Sequence, residues 1–182
     1  MNHDCCQPKT SKGGKSMKKF DPFIVGIIGF TVLILVAVVY FGSKMGATAQ
    51  VTTDTQVTLA VDSNKYNWGT IDYDGGMATK TFTIKNTSNS VLKLYDVQTS
   101  CMCTTAQLKT PQITSQKFKM HETTSDVIAV NPGETAELIV EFDPAFHGPS
   151  GVGPVTRIIT ISTNDTKNST LTFNLAGNVV KK

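Results

Sequence analysis

The chain of 182 residues has little that would serve a polyanion, a disulfide scaffold or a hydrolase. It contains one arginine, Arg157, and beyond residue 22 its basic and acidic side chains balance at twelve each. The main body therefore lacks the positive surplus that phosphate neutralisation requires, and no nucleic-acid binding is expected. Four cysteines are too few for a disulfide-dense scaffold, so a core must come from apolar packing. A nucleophile elbow, a phosphate-binding glycine loop, a zinc-protease His-Glu motif and an Asp/Glu dyad in a convincing context are all missing, so the chain reads as a non-enzyme. No internal repeat is present. With 40% hydrophobic and 17% charged residues, the composition excludes wholesale disorder.

What is present begins with an apolar run. From Phe23 to Gly42 the chain carries twenty residues without a charge. At about 1.5 Å per residue these span roughly the 30 Å hydrocarbon layer. A transmembrane helix is predicted over 23–42, with Asp21-Pro22 as its start and Tyr40 and Phe41 at an interface. Lys9, Lys12, Lys15, Lys18 and Lys19 precede the span and only Lys44 follows closely, so the positive-inside bias places the amino terminus in the cytoplasm. The expected organisation is a basic, disordered cytoplasmic tail (1–22), a single-pass anchor in the lipid bilayer (23–42), a linker (43–55) and an extracytoplasmic domain (56–182). Ala47-Thr48-Ala49 has the small-residue pattern of a signal-peptide cleavage site, but the apolar run and the preceding polar segment are long for a signal peptide, which favours retention.

The exported part alternates in strand fashion. Candidate strands lie at 57–61, 66–71, 80–85, 91–99, 135–142, 156–163 and 170–175, punctuated by turns such as Asp74-Gly75-Gly76, Asn131-Pro132-Gly133 and Asn164-Asp165. Phe82 and Ile84, Leu92 and Leu94, Leu138, Val140 and Phe142, Ile159 and Ile161, and Leu171, Phe173 and Leu175 make one-faced apolar sets. Packed face to face, these predict an all-β fold, an immunoglobulin-like antiparallel β-sandwich of about seven strands. Tyr66 and Trp68 are expected in the core. The polar segment Leu108–Thr124 breaks the pattern and reads as a long loop, functional or disordered. The Asp143–Pro154 segment, with three Pro and three Gly, reads as an ordered loop anchored by Phe146.

Several motifs carry a resemblance: Trp68-Gly69-Thr70-Ile71, Thr81-Phe82-Thr83-Ile84-Lys85-Asn86, Ser100-Cys101-Met102-Cys103-Thr104, Asn131-Pro132-Gly133-Glu134, Glu141-Phe142-Asp143-Pro144 and Thr163-Asn164-Asp165. Between about Asn67 and Gly177 the chain resembles the bacterial domain of unknown function 1573 family, whose members are exported and similar to the Ig-like modules of hydin-type proteins. The commonest signature of that family is Ser-Cys-Gly-Cys-Thr, and here Met102 replaces the Gly. The resemblance implies a fold and says little about activity. The loops carrying His147 and Met120-His121 are elaborations on the family core.

Cys101 and Cys103, two residues apart, would lie on one face of an extended strand with their Cα atoms near the outer limit for a disulfide, so a bond requires a turn. Such a small ring is expected to be strained and reducible, which suits exchange more than stapling. The alternative is metal binding: two thiolates with Met102 or Met120 and with His121 or His147 form a ligand set for Cu(I), or with histidine for Zn. The plainest reading is a pair that is packed or simply bonded, with the methionines filling gaps. Cys5-Cys6 beside His3 falls in the cytoplasmic tail, where it could bind metal or serve nothing. Two functions stand: a noncatalytic binding or scaffolding module with a cell-surface protein partner, and a metal-handling or thiol-redox protein using Cys101, Cys103, His121, His147 and Met120.

Overall fold

The computed structural model describes residues 21–42, 51–122 and 124–181. The basic tail with Cys5 and Cys6, and the cleavage motif ending at Ala49, lie outside the described residues. The chain divides into two compact units, Met1–Lys44 and Met45–Lys182.

In the first unit, helix α1 runs from Pro22 to Gly42 and is long and apolar enough to cross a membrane. Pro22 needs no N–H at the first helical position, and the Asp21 carboxylate accepts the N–H of Phe23 at 3.1 Å while the Asp21 carbonyl accepts that of Val25 at 3.1 Å. The Thr31 hydroxyl donates back to the carbonyls of Ile27 and Ile28 at 3.0 and 2.9 Å, so this polar group is satisfied within the helix, which hydrocarbon surroundings would require.

The second unit is the expected sandwich, built among the described residues from nine strands: β1 (Leu59–Val61), β2 (Lys65–Asp72), β3 (Ala78–Asn86), β4 (Leu92–Thr99), β5 (Thr104–Lys109), β6 (Val127–Val130), β7 (Thr135–Phe142), β8 (Gly153–Thr163) and β9 (Thr170–Val180). One sheet has the order β1-β3-β7-β5 and the other β2-β9-β8-β4-β6. Two differences from the sequence reading stand out. β5 and β6 are additional strands flanking the supposed loop, and β2 pairs with β9 in parallel, not antiparallel. The apolar sets behave as read: Phe82, Ile84, Leu92, Leu94, Leu138, Val140, Ile159, Ile161, Phe173 and Leu175 are fully buried between the sheets, where alternation delivers one face of each strand to the core.

The segment after β5 is a folded excursion. Phe118 bridges back to Ala106, its N–H and carbonyl both paired, and places its ring in the core at 2% exposure. A long segment can thus be polar in composition and still ordered by one aromatic.

Two buried asparagines clamp connections at the end away from the cysteines. Asn86 donates to the carbonyls of Ser90 and Val130 at 2.8 and 2.9 Å, and its Oδ1 accepts from the N–H and the hydroxyl of Ser88 at 3.0 and 2.7 Å. Asn164 donates to Val91 O at 3.0 Å and accepts from Lys93 N at 2.8 Å. The incoming chain meets the sandwich at this same end, with Asp54 N–H on Asn164 O at 2.8 Å. Beside it Asp165 is buried. Burial pushes its pKa up, but hydrogen bonds from the Asn168 side chain and the backbone N–H groups of Lys167 and Asn168, with the Lys167 charge, outweigh burial and hold it below the ordinary carboxylate value.

Candidate functional site

The opposite end of the sandwich gathers a second, smaller core of Ile71, Cys103, Phe142 and Val179, with Trp68, Tyr73, Ala78, Cys101 and Val155 packed on it. Two devices aim β4 at this end. A bulge between Tyr95 and Gln98, where Asp96 adopts φ 48°, re-registers β4 on β8. The ladder then ends on Ser100, whose N–H donates to Ile158 O and whose hydroxyl accepts from Ile158 N, each at 2.9 Å.

Past Ser100 the chain turns instead of continuing extended. Thr104 N–H donates to Cys101 O at 3.1 Å, closing a β-turn with Met102 and Cys103 at its corners. This turn brings the two Cα atoms to 5.2 Å, and Cys101 and Cys103 are disulfide-bonded. The turn is fixed from both sides. The buried Thr99 hydroxyl lies 3.2 Å from the carbonyls of Cys101 and of Thr104, and Cys103 O accepts Asp143 N–H at 2.9 Å. Cys103 N–H also points at Cys101 Sγ, 3.2 Å away. The sulfurs are unequal: Cys103 is 2% exposed, whereas Cys101 is half-buried at the surface.

Two side chains from elsewhere address them. The loop after β7 is a chain of turns in which Asp143 Oδ1 accepts Ala145 N–H at 2.9 Å and Gly148 N–H donates to Ala145 O at 2.8 Å. Gly148 sits at φ 63°, a left-handed conformation that glycine adopts without a Cβ penalty. These turns hold exposed His147 with Nε2 3.5 Å from Cys101 Sγ. Arg157 on β8 presents Nε–H to Cys103 Sγ at 3.2 Å, while Nη1 donates to Thr156 O at 2.8 Å and the guanidinium lies 4.8 Å from the centre of the Phe142 ring. Burial lowers the Arg157 pKa. The guanidinium still remains cationic in proteins.

Among the described residues, Cys101, Cys103 and His147 form a group whose donor atoms lie within 4.8 Å of one another. His121 does not belong to that group. It sits exposed at φ 63° in a turn fastened to β4 by Gln98 Nε2–H on Glu122 O at 2.9 Å, with the half-buried Met120 before it. Met102 projects to solvent from the turn corner. Phe146 is no anchor for its loop: it is half exposed, edge-on to the His147 ring at 5.1 Å. Trp68 stacks on Phe142 at 5.7 Å and is only partly buried, and Tyr66 is exposed at its edge. The residue that sequence reasoning missed is Arg157. Its signal was available, because the single arginine of a chain is a distinctive side chain, but nothing in the sequence ties position 157 to position 103.

Chemically, the site has two states. Oxidised, the sulfurs are bonded to each other and cannot serve as thiolate ligands. Reduced, the two thiolates and the His147 imidazole make a soft three-donor set. The Arg157 cation beside Cys103 favours a bare thiolate and disfavours a second cation at the same sulfur.

These features define an immunoglobulin-like β-sandwich with a bonded Cys-x-Cys turn at one end. Residues 59–123 match the family described as protein of unknown function (DUF1573), so the resemblance read from the motifs holds, and that stretch includes the cysteine turn. No curated protein matches the chain. A protein of unknown function from Porphyromonas gingivalis W83 has a similar structure, with a TM-score of 0.51 and 19% identity over 71% of this chain and 50% of that one. The chain thus spans half the length of that relative. Weaker structural likeness extends to an ASH/PapD-like domain of human CEP192 (TM-score 0.45, 12% identity, 75% of this chain and 94% of that one) and to the E. coli chaperone DraB (0.41, 9%, 68% and 56%).

Proposed function

We propose that the chain is a noncatalytic binding module, held in a membrane by α1 with its sandwich outside the cytoplasm, whose contact surface is the cysteine-bearing end. One observation carries the reading. Among the described residues of the sandwich, Met77, Met102, Phe146 and Val152 are large apolar side chains exposed in the three connections β2–β3, β4–β5 and β7–β8, and these connections meet at that end. Exposed apolar side chains carried on connections at one end of a sandwich suit a protein partner offering an apolar segment. The span in α1 and the five lysines before it support the orientation.

A photo-crosslinking residue placed at Met102 or Phe146 in membrane-embedded full-length chain should give one dominant adduct that is absent when the probe is at Thr172, towards the other end of β9. Equal labelling from all three positions would refute a directed contact surface. Protease added to intact cells whose outer layers are permeabilised should remove the sandwich and spare α1; full protection would reverse the orientation.

A second reading is favoured by the cluster of Cys101, Cys103 and His147: thiol-redox exchange, or handling of Cu or Zn by the reduced pair. His121 lies outside that group of donors, and the reading rests on the three residues inside it.

A further inference from the structure

The inequality of the two sulfurs carries a more specific inference, resting on the redox reading just given. We infer that Cys101–Cys103 is a thiol–disulfide exchange site of fixed polarity, in which a dithiol attacks Cys101 and Cys103 is the leaving sulfur, received by Arg157. Attack on a disulfide needs access to the sulfur attacked and a stabilised thiolate on the one displaced. Cys101 is the more exposed residue of the pair, half-buried at the surface, whereas Cys103 is 2% exposed. Cys103 Sγ already receives the Arg157 Nε–H at 3.2 Å and has the Thr104 hydroxyl at 3.7 Å. Both can donate to a developing negative charge, and a partly buried guanidinium held by Thr156 O and Phe142 needs little rearrangement to do so.

The step balances. A thiolate of the incoming dithiol forms an S–S bond to Cys101 Sγ; the Cys101–Cys103 bond breaks, and its electron pair stays on Cys103 against Arg157. The second thiol of the dithiol, deprotonated, then attacks its own sulfur in the mixed disulfide and Cys101 leaves. Its proton can go to His147 Nε2, 3.5 Å from Cys101 Sγ, or to Cys101 itself. The dithiol is oxidised to a disulfide, the protein pair is reduced by two electrons, and the two protons of the dithiol remain with the reduced site or solvent. The partner class is therefore a dithiol, a small molecule or a protein with two neighbouring thiols, small enough at its tip to pass the exposed Met102 and Phe146.

The test uses the full chain in detergent with Cys5→Ser and Cys6→Ser, which removes the other two thiols without touching the sandwich. Reduced glutathione, a monothiol, traps the mixed disulfide, and peptide mass spectrometry locates it. The expected adduct is on Cys101; an adduct on Cys103, or an even distribution, would overturn the polarity. Stopped-flow reduction by dithiothreitol should slow about tenfold or more in Arg157→Gln and recover in part in Arg157→Lys, with circular dichroism unchanged. Equal rates in all three would remove Arg157 from the step. If the folded chain resists dithiothreitol and is reduced only in denaturant, exchange itself fails, independently of polarity. Retention of one equivalent of Cu(I) by the reduced chain against a chelator would overturn exchange in favour of metal handling.

Discussion

The Cys101–Cys103 bond closes a ring of only three residues, and this sets how much stability it can contribute. In the chain-entropy description, cross-linking three residues restricts the unfolded chain by about 1.6 kcal/mol at 25 °C, against about 4.7 kcal/mol for a loop of 100 residues. The rest of the site does not depend on the bond: the Thr99 and Ser100 hydroxyls and the backbone groups of Ser100, Thr104 and Asp143 hold the turn through hydrogen bonds that do not involve the sulfurs. Reducing the sandwich domain, residues 50–182, with a phosphine should therefore leave it folded, with Tm lowered by roughly 5 to 8 °C for a domain of this size. The measurement is a thermal melt followed by near-ultraviolet circular dichroism, with free thiols counted in parallel to prove reduction. A loss beyond about 3 kcal/mol, or a transition that ceases to be cooperative, would show that the bond is a structural staple and refute the reasoning.

Three further outcomes are expected. Asn86→Ala strips partners from the carbonyls of Ser90 and Val130 and from Ser88, so urea unfolding should show a loss of about 2 to 4 kcal/mol at unchanged m-value; less than 1 would mean that water replaces the side chain. Asp165, held below the ordinary carboxylate pKa when folded, contributes stability above the unfolded value of about 3.9, and this contribution is lost as pH falls through the folded value. Asp165→Asn should accordingly flatten the loss of stability below about pH 4, and superimposable acid curves for variant and wild type would contradict it. Leu33→Arg puts a charge at the middle of α1 at a cost of about 2.5 to 3.5 kcal/mol for insertion, so a reduced share of the chain should pellet with alkali-washed membranes; undiminished pelleting would mean that α1 is not the anchor.

Much of the fold was legible because burial in a sandwich repeats every second residue, and Phe82-Ile84 or Leu171-Phe173-Leu175 announce it with large side chains. β5 was missed because its inward residues are Thr104, Ala106 and Leu108, two of them too small or too polar to mark a face. β6 has only four residues, Val127–Val130, and lies at a sheet edge. The parallel pairing of β2 with β9 joins segments about a hundred residues apart, which no local pattern encodes. At the site, the proximity of Cys101 to Cys103 was written in the spacing, whereas His147 and Arg157 come to the sulfurs by the geometry of β7 and β8. The same geometry leaves His121 beside Gln98 on β4.

The position of β9 governs when this domain can become a domain at all. It lies between β2 and β8, and β2 has no other neighbour in its sheet. While the eleven residues Thr170–Val180 are still missing from a growing chain, β2 has no sheet partner among the described residues and β8 exposes one whole edge. Closure of the second sheet thus waits for β9, and until β9 is in place the chain carries open strand edges that invite pairing with other chains. A chain truncated before Thr170 should therefore aggregate rather than yield a shortened, working module.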